Sequence, residues 1–428
     1  MEEKDQYPYG LINHALSGAI NILLEDYICL ITQLEEKLNR RELTFLRLLS
    51  FIEETMDKFA MLACITKDLS KSGARGSAVL NLLHDRMLNL AECNPFKNVM
   101  MELTQAAADP YMSMLFEWLN RGIIDDPYEE FMVVDTKTGI TDEYWEKRYA
   151  IIPQNVPTFL KMHENVILRT GKYLNVIRQS GQEVRSPEQQ KPIFSTTDAS
   201  YSEVIERTYN FASKQLFELF MDEKNLMGRL RSVKRFFLLD EGDFILQLIS
   251  KCEEELKKNI DDVRPKCLQM LFKFAIEDSS ANNDIYKDDI ICTLQPMTLM
   301  GQAQRILSNE TEEDRLPISG LQGFTLGYRD TWPVSLVLAS KNIACYQMIF
   351  RHLFFCKYVE KLLCRVWIRD KVMKSFPPSA SHTCSSAFGL RQCMLHFIQN
   401  IEYYMMFDVI ESNWQTFCNK IQMASVVL

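Results

Sequence analysis

The sequence predicts an all-α protein, elongated and built from two consecutive helical bundles, and three observations predict it. Apolar residues recur at steps of three and four. Ile12, Leu16, Ala19, Leu23, Tyr27, Leu30 and Leu34 fall on one helical face, and similar stripes follow through much of the chain. Glycine (15) and proline (14) are scarce in 428 residues, so elements are long and connections few. A polar stretch at 180–198, with Pro187, Pro192 and several Gln, Ser and Thr, reads as a linker and divides the chain into comparable halves, 1–195 and 200–428. At roughly 100–200 residues per domain, the length fits two or three domains.

Taken in order, the stripes predict further helices over 46–65, 77–90, 155–178 and 203–239. Another opens after Asp240 and ends in the charged run 253–258, and one over 264–276 has Pro265 placed for its first turn. The longest stripe is Tyr346, Ile349, Leu353, Cys356, Val359, Leu363 and Val366. A helix over 343–368 is about 39 Å long at 1.5 Å per residue. From 388 to about 407, Leu390, Met394, Phe397, Ile401 and Tyr404 share one side and are expected in the core. Strand-like pieces are few, at 130–134 and 323–328, and 309–317 reads as a charged loop. No repeat of fixed period is present.

A formal charge of −9 argues against nucleic acid and against an anionic membrane surface, because both call for clustered Lys and Arg. No stretch of about eighteen apolar residues runs unbroken, so a spanning helix is not expected. The start, MEEKDQYPYG, has no apolar signal-peptide core. Twelve scattered cysteines fit reduced thiols packed as small hydrophobes, and hence a cytosolic protein.

Catalytic patterns are absent. The segment at 73–77, GARGS, lacks the Gly-Lys-Ser ending that cradles phosphate and reads as a helix connection. His382, Cys384, Cys393 and His396 do not have structural-zinc spacing, and packed thiols with surface imidazoles fit them better. There is no HExxH, and nothing raises a Ser–His–Asp set above background. The acidic run Asp125, Asp126, Glu129 and Glu130 fits a solvated turn at Pro127 better than acid–base work. No catalytic, cofactor-binding or metal residue is expected, so the reading is of a protein that is not an enzyme.

What the chain does have is wording. Residues 80–86 read LNLLHDR, 109–133 DPYMSMLFEWLNRGIIDDPYEEFMV, 144–151 YWEKRYAI and 170–181 TGKYLNVIRQSG. The second half has LRSVKRFFLLDEGDF at 230–244, WPVSLVL at 332–338, YQMIFRHLFFCKYVEKLLCRVW at 346–367 and LRQCMLHFIQNIEYYMMFDVIESNW at 390–414. These eight segments, in this order, resemble the gamma-tubulin complex proteins, whose first Grip motif is like 118–131 and 170–178. The detailed wording is most like the member that pairs with component 3.

The resemblance implies two Grip-motif bundles, at 1–195 and 200–428. It implies a structural scaffold subunit that binds gamma-tubulin through its second half and a neighbouring Grip protein, component 3 above all, through its first. Microtubule minus ends are engaged indirectly, in the cytoplasm and cytoskeleton at centrosomes, other microtubule-organising centres or spindle poles. The alternative is a general helical adaptor or tether. Asp125, Asp126, Glu129 and Glu130 are the candidates for lateral contact, and Arg391, Asn400, Glu402 and Tyr403 those for gamma-tubulin. The family's polypeptide normally begins well before the segment matched at Tyr7 and continues beyond Trp414 for further helices, whereas this sequence stops at Leu428. The first domain is therefore expected to lack its usual start and the second to be truncated, leaving apolar stripes uncovered.

Overall fold

The computed structural model describes residues 9–90, 96–136, 147–182, 194, 200–308, 318–329, 331–373 and 381–427. Among these residues it is predominantly helical, with two small two-stranded antiparallel sheets. The chain divides into two compact units, Met1–Leu216 and Phe217–Leu428.

The first unit comprises α1 (Leu11–Asn39), α2 (Phe45–Ser72), α3 (Ser77–Asn89), α4 (Phe96–Arg121), the hairpin of β1 (Val133–Asp135) and β2 (Tyr149–Ile151), α5 (Glu164–Gln179) and most of α6 (Ser200–Glu218). Its core gathers Ile12, Leu16 and Ile20 from α1, Tyr111, Leu115 and Trp118 from α4, and Phe131, Ile167 and Ile205. The α1 stripe is buried at Ile12, Leu16 and Leu34 and half-buried at Ala19, Leu23, Tyr27 and Leu30. Elsewhere on α1, Ile22, Ile28, Ile31 and Leu38 are exposed, as are Phe45, Leu46 and Leu49 of α2. Against the sequence expectation, α1 is by length and composition apolar enough to cross a bilayer, with a mean hydropathy of 1.4 over its most apolar window, of which 17% is buried. Residues 73–77 are a helix connection, as expected, with Gly73 and Gly76 both at φ 58°.

Two boundaries differ from the sequence reading. The helix expected over 155–178 begins only at Glu164, because Pro157 sits in extended backbone and holds its surroundings in tight three-residue turns. The division expected at 180–198 does not separate the units. Residues 183–193 and 195–199 lie outside the described ones. However, α6 returns to the first core, burying Ile205 and placing Tyr209 6.1 Å from Tyr173, so the first unit runs on to Leu216.

The second unit contains α7 (Leu226–Phe237), α8 (Gly242–Leu256), α9 (Pro265–Glu277), β3 (Ile290–Leu294), α10 (Leu299–Ser308), β4 (Phe324–Tyr328), α11 (Ser340–Met373), α12 (Ser381–Tyr403) and α13 (Ser412–Val427). The single helix expected over 203–239 is broken. Leu219–Glu223 widens into a π-type turn and Asn225 adopts φ 45°, its side chain accepting the Gly228 N–H at 3.1 Å to cap α7. Pro265 does open α9. Strand β4 lies within the expected 323–328, whereas its partner β3, paired Cys292 to Leu326, was not foreseen. The expected loop at 309–317 lies outside the described residues.

Phenylalanines dominate this core: Phe236, Phe237, Phe244, Phe272, Phe324, Phe350 and Phe354 are all essentially inaccessible. Polar ties fix α11 upon it. Gln347 donates to the Leu326 carbonyl at 2.8 Å, and buried Arg351 donates to the Gln322 and Met297 carbonyls and, at 2.6 Å, to Gln302. A buried guanidinium is tolerated only with its donors used, and these partners use them. Near the far end, Arg365 grips both carboxylate oxygens of Glu253 on α8 at 2.5 Å.

Candidate functional site

In the first unit the two segments that carry the family wording pack on each other. Trp118, at the end of α4, is fully buried. Its indole N–H donates to the Ile167 carbonyl at 2.9 Å, and its ring occupies the space that a side chain on Gly171 of α5 would need. One turn on, Gly122 at φ 62° ends α4, and its carbonyl accepts from the Asn175 amide at 3.1 Å. Asn175 is completely buried and also donates to the Tyr149 hydroxyl. Trp118, Gly122, Gly171 and Asn175 thus form one joint, which aims the following turn, 123–130, outward.

That turn divides the four acidic candidates. The Asp126 carboxylate accepts the backbone N–H groups of Tyr128, Glu130 and Phe131, at 3.3, 3.1 and 2.7 Å, so it builds the turn. Glu130 is a correction to the sequence reading: it is 5% exposed, and its Oε2 accepts the Leu11 N–H at 2.9 Å and the Ile12 N–H at 3.4 Å. It satisfies donors at the start of α1 and complements that helix's dipole. Burial raises the Glu130 carboxyl above the usual range, the Leu11 and Ile12 N–H groups oppose this, and Asp126 adds to it. Asp125 and Glu129 remain exposed, Glu129 at φ 57°. Beside them opens a cavity of about 450 Å³, lined by Asp126, Glu129, Arg148, Tyr149 and Arg178 among others.

In the second unit the stripe on α12 does not face the core. Leu390, Met394, Phe397 and Tyr404 are 65, 46, 64 and 56% exposed. The inward face is the adjacent one, Arg391, Leu395, Ile398 and Glu402, about 100° round the helix. Polar contacts hold this rotation. Arg391 donates to the Leu363 carbonyl at 3.3 Å, and Lys357 donates to Glu402 at 2.7 Å and to Glu360 at 3.0 Å. Gln399 donates to Glu360 at 3.1 Å. Glu402, expected to project outward, is therefore 7% exposed, and burial raises its carboxyl above the usual range, against the Lys357 ammonium and with the help of Glu360. Arg391 is half-buried; Asn400 and Tyr403 are exposed.

Among the described residues no group of three His, Cys, Asp or Glu side chains is placed to hold a metal. Cys393 is exposed on α12, and the side chains of His382 and Cys384 lie outside the described residues. No sequence signal pointed to Lys357 and Glu360, because their pairing with Glu402 spans some 45 residues.

Two family models cover the chain end to end. The gamma tubulin complex component N-terminal model matches residues 1–223, and the gamma tubulin complex component C-terminal model matches 226–427. The chain is 39% identical over 441 residues to gamma-tubulin complex component 2 of Mus musculus, covering 99% of this chain and 49% of that protein. It is 39% identical over 424 residues to the gamma-tubulin complex component 2 homolog of Drosophila melanogaster, covering 96% and 50%. It is 25% identical over 540 residues to spindle pole body component alp4 of Schizosaccharomyces pombe, covering 100% and 68%. The chain thus spans about half the length of the first two relatives.

Proposed function

The chain belongs to the gamma-tubulin complex component family, and we propose that it acts there as a scaffold subunit, binding gamma-tubulin through its second unit and a neighbouring Grip protein through its first. The observation that carries this reading is the order of the two matched models, one per unit, with their junction at 223–226 close to the division at Leu216. Component 3 is the proposed neighbour. Spindle poles, centrosomes and related organising centres are the proposed location, supported by the spindle pole body relative.

The physical basis of the role is stiffness. Template nucleation requires subunits held at fixed spacing, and long helices fastened by joints such as the buried Trp118–Gly171 contact and the Glu253–Arg365 ion pair supply it. On this proposal Asp125 and Glu129 remain the lateral candidates, and Asn400 and Tyr403 the exposed candidates for gamma-tubulin, with Arg391 half-buried beside them. Co-purification of the tagged chain with gamma-tubulin, with and without component 3, tests the reading. Capture of both supports it, and capture of neither leaves the chain a helical adaptor of another kind.

A further inference from the structure

A cavity of about 310 Å³ opens in the second unit between α11, the end of α12 and the π-type turn Tyr404–Glu411, with Leu239 on one side. Leu353, Met406 and Phe407 give it apolar walls. The rings of Tyr403 and Phe407 stand 4.8 Å apart, and both are more than half exposed. Glu402, also in the lining, is 7% exposed. Its Oε2 takes the Lys357 ammonium, while its Oε1 is buried and has no hydrogen-bond partner. The same ammonium is shared with Glu360, so two carboxylates draw on one cation.

Such an oxygen is a standing cost. A buried acceptor without a donor is unfavourable, and a ligand that supplies the donor recovers the loss. An anion is disfavoured beside the Glu360 and Glu402 carboxyl groups. A metal ion lacks ligands, since no group of three suitable side chains is present among the described residues. The fitting ligand has a cationic head for Oε1 and an apolar stem for Leu353 and Met406, with the aromatic faces of Tyr403 and Phe407 to favour its charge. The π-type turn that brings Met406 and Phe407 to the cavity is a rare backbone form that recurs at functional sites.

We infer that this cavity is the receptor for one basic side chain, an arginine or lysine, presented by gamma-tubulin. The inference rests on the gamma-tubulin binding proposed above and adds to it a place and a chemistry. Arginine suits the site better, because its planar fork can reach Oε1 while its face lies against a ring.

The test measures the affinity of purified gamma-tubulin for the immobilised chain and for two variants. Glu402→Gln keeps the shape and removes the charge; Met406→Trp fills the cavity and leaves the carboxylate in place. The expected result is at least about a tenfold loss of affinity in each, corresponding to about 1.4 kcal/mol, with capture of component 3 unchanged. Wild-type affinity in both variants overturns the inference while leaving the scaffold reading intact. Equal loss of gamma-tubulin and component 3 capture also overturns it, since that marks a general structural effect. Failure of the unmodified chain to bind gamma-tubulin removes the scaffold reading, and this inference with it.

Discussion

Trp118 and Gly171 fit as a single unit: a Cβ on Gly171 would lie within the indole ring, and the indole N–H is already committed to the Ile167 carbonyl one turn earlier on α5. The glycine is thus required by packing rather than by backbone conformation, since it sits inside a regular helix.

Gly171→Ala is therefore expected to destabilise the first unit by about 1–3 kcal/mol, the usual range for overpacking a filled core. Adding Trp118→Phe should recover part of the loss, with a coupling of about 0.5 kcal/mol or more in a double-mutant cycle. Denaturant unfolding checks both. An unchanged midpoint in Gly171→Ala would show that the two segments do not meet as described.

Glu130 and Glu129 are adjacent acids with opposite expected outcomes. Glu130→Ala removes the acceptor for the first N–H groups of α1 and should cost about 1 kcal/mol, the typical size of a lost cap. Glu129→Ala, on an exposed side chain, should stay within about 0.5 kcal/mol of wild type. Hydrogen exchange at Leu11 and Ile12 reads the difference locally. Equal protection in the two variants would contradict the cap.

Charge reversal separates the structural acids from the exposed ones at the proposed lateral contact. Asp125→Lys with Glu129→Lys should weaken pairing with component 3 without lowering the melting temperature, and the loss should shrink as salt rises. Undiminished co-elution on a sizing column would place the contact on other residues, of which the exposed apolar Ile28, Phe45 and Leu46 are the next to change.

The Arg365 guanidinium, with Lys257, holds the Glu253 carboxyl down to about 2. A carboxyl depressed in the folded state contributes stability that is present above its ordinary value near 4.5 and lost as pH falls toward 2. The second unit should therefore weaken through that window, and Glu253→Gln should flatten this part of the pH dependence. At neutral pH the same variant should be less stable than wild type, by an amount that solvent screening at the partly exposed Arg365 keeps small. Urea titrations between pH 2 and 6 measure both. An identical pH slope in the variant would show that the pair contributes nothing.

Much of the fold was legible because each helix advertises the stripe it buries. Pro265 and the glycines of 73–77 mark ends by backbone chemistry alone. The misses have physical causes. Asn225 breaks a continuous helical stripe by adopting φ 45°, which the apolar period does not record. Strand β3 gains its register only from β4, more than thirty residues away. On α12 two faces compete, and the more apolar one lost to the face whose Arg391 and Glu402 find partners on α11. Asp126 and Glu130 read as a solvated acidic run, yet the donors to Glu130 come from 118 and 119 residues earlier. Sequence wording located the candidate surfaces; only spatial neighbours decided which of their charges are structural.

The most direct measurement of the central claim is sizing with light scattering on the purified 428-residue chain mixed with gamma-tubulin, in the presence and absence of component 3. A scaffold subunit predicts a defined species of the chain with one gamma-tubulin, and a larger one when component 3 is added. Elution of the folded chain alone in both mixtures would contradict it.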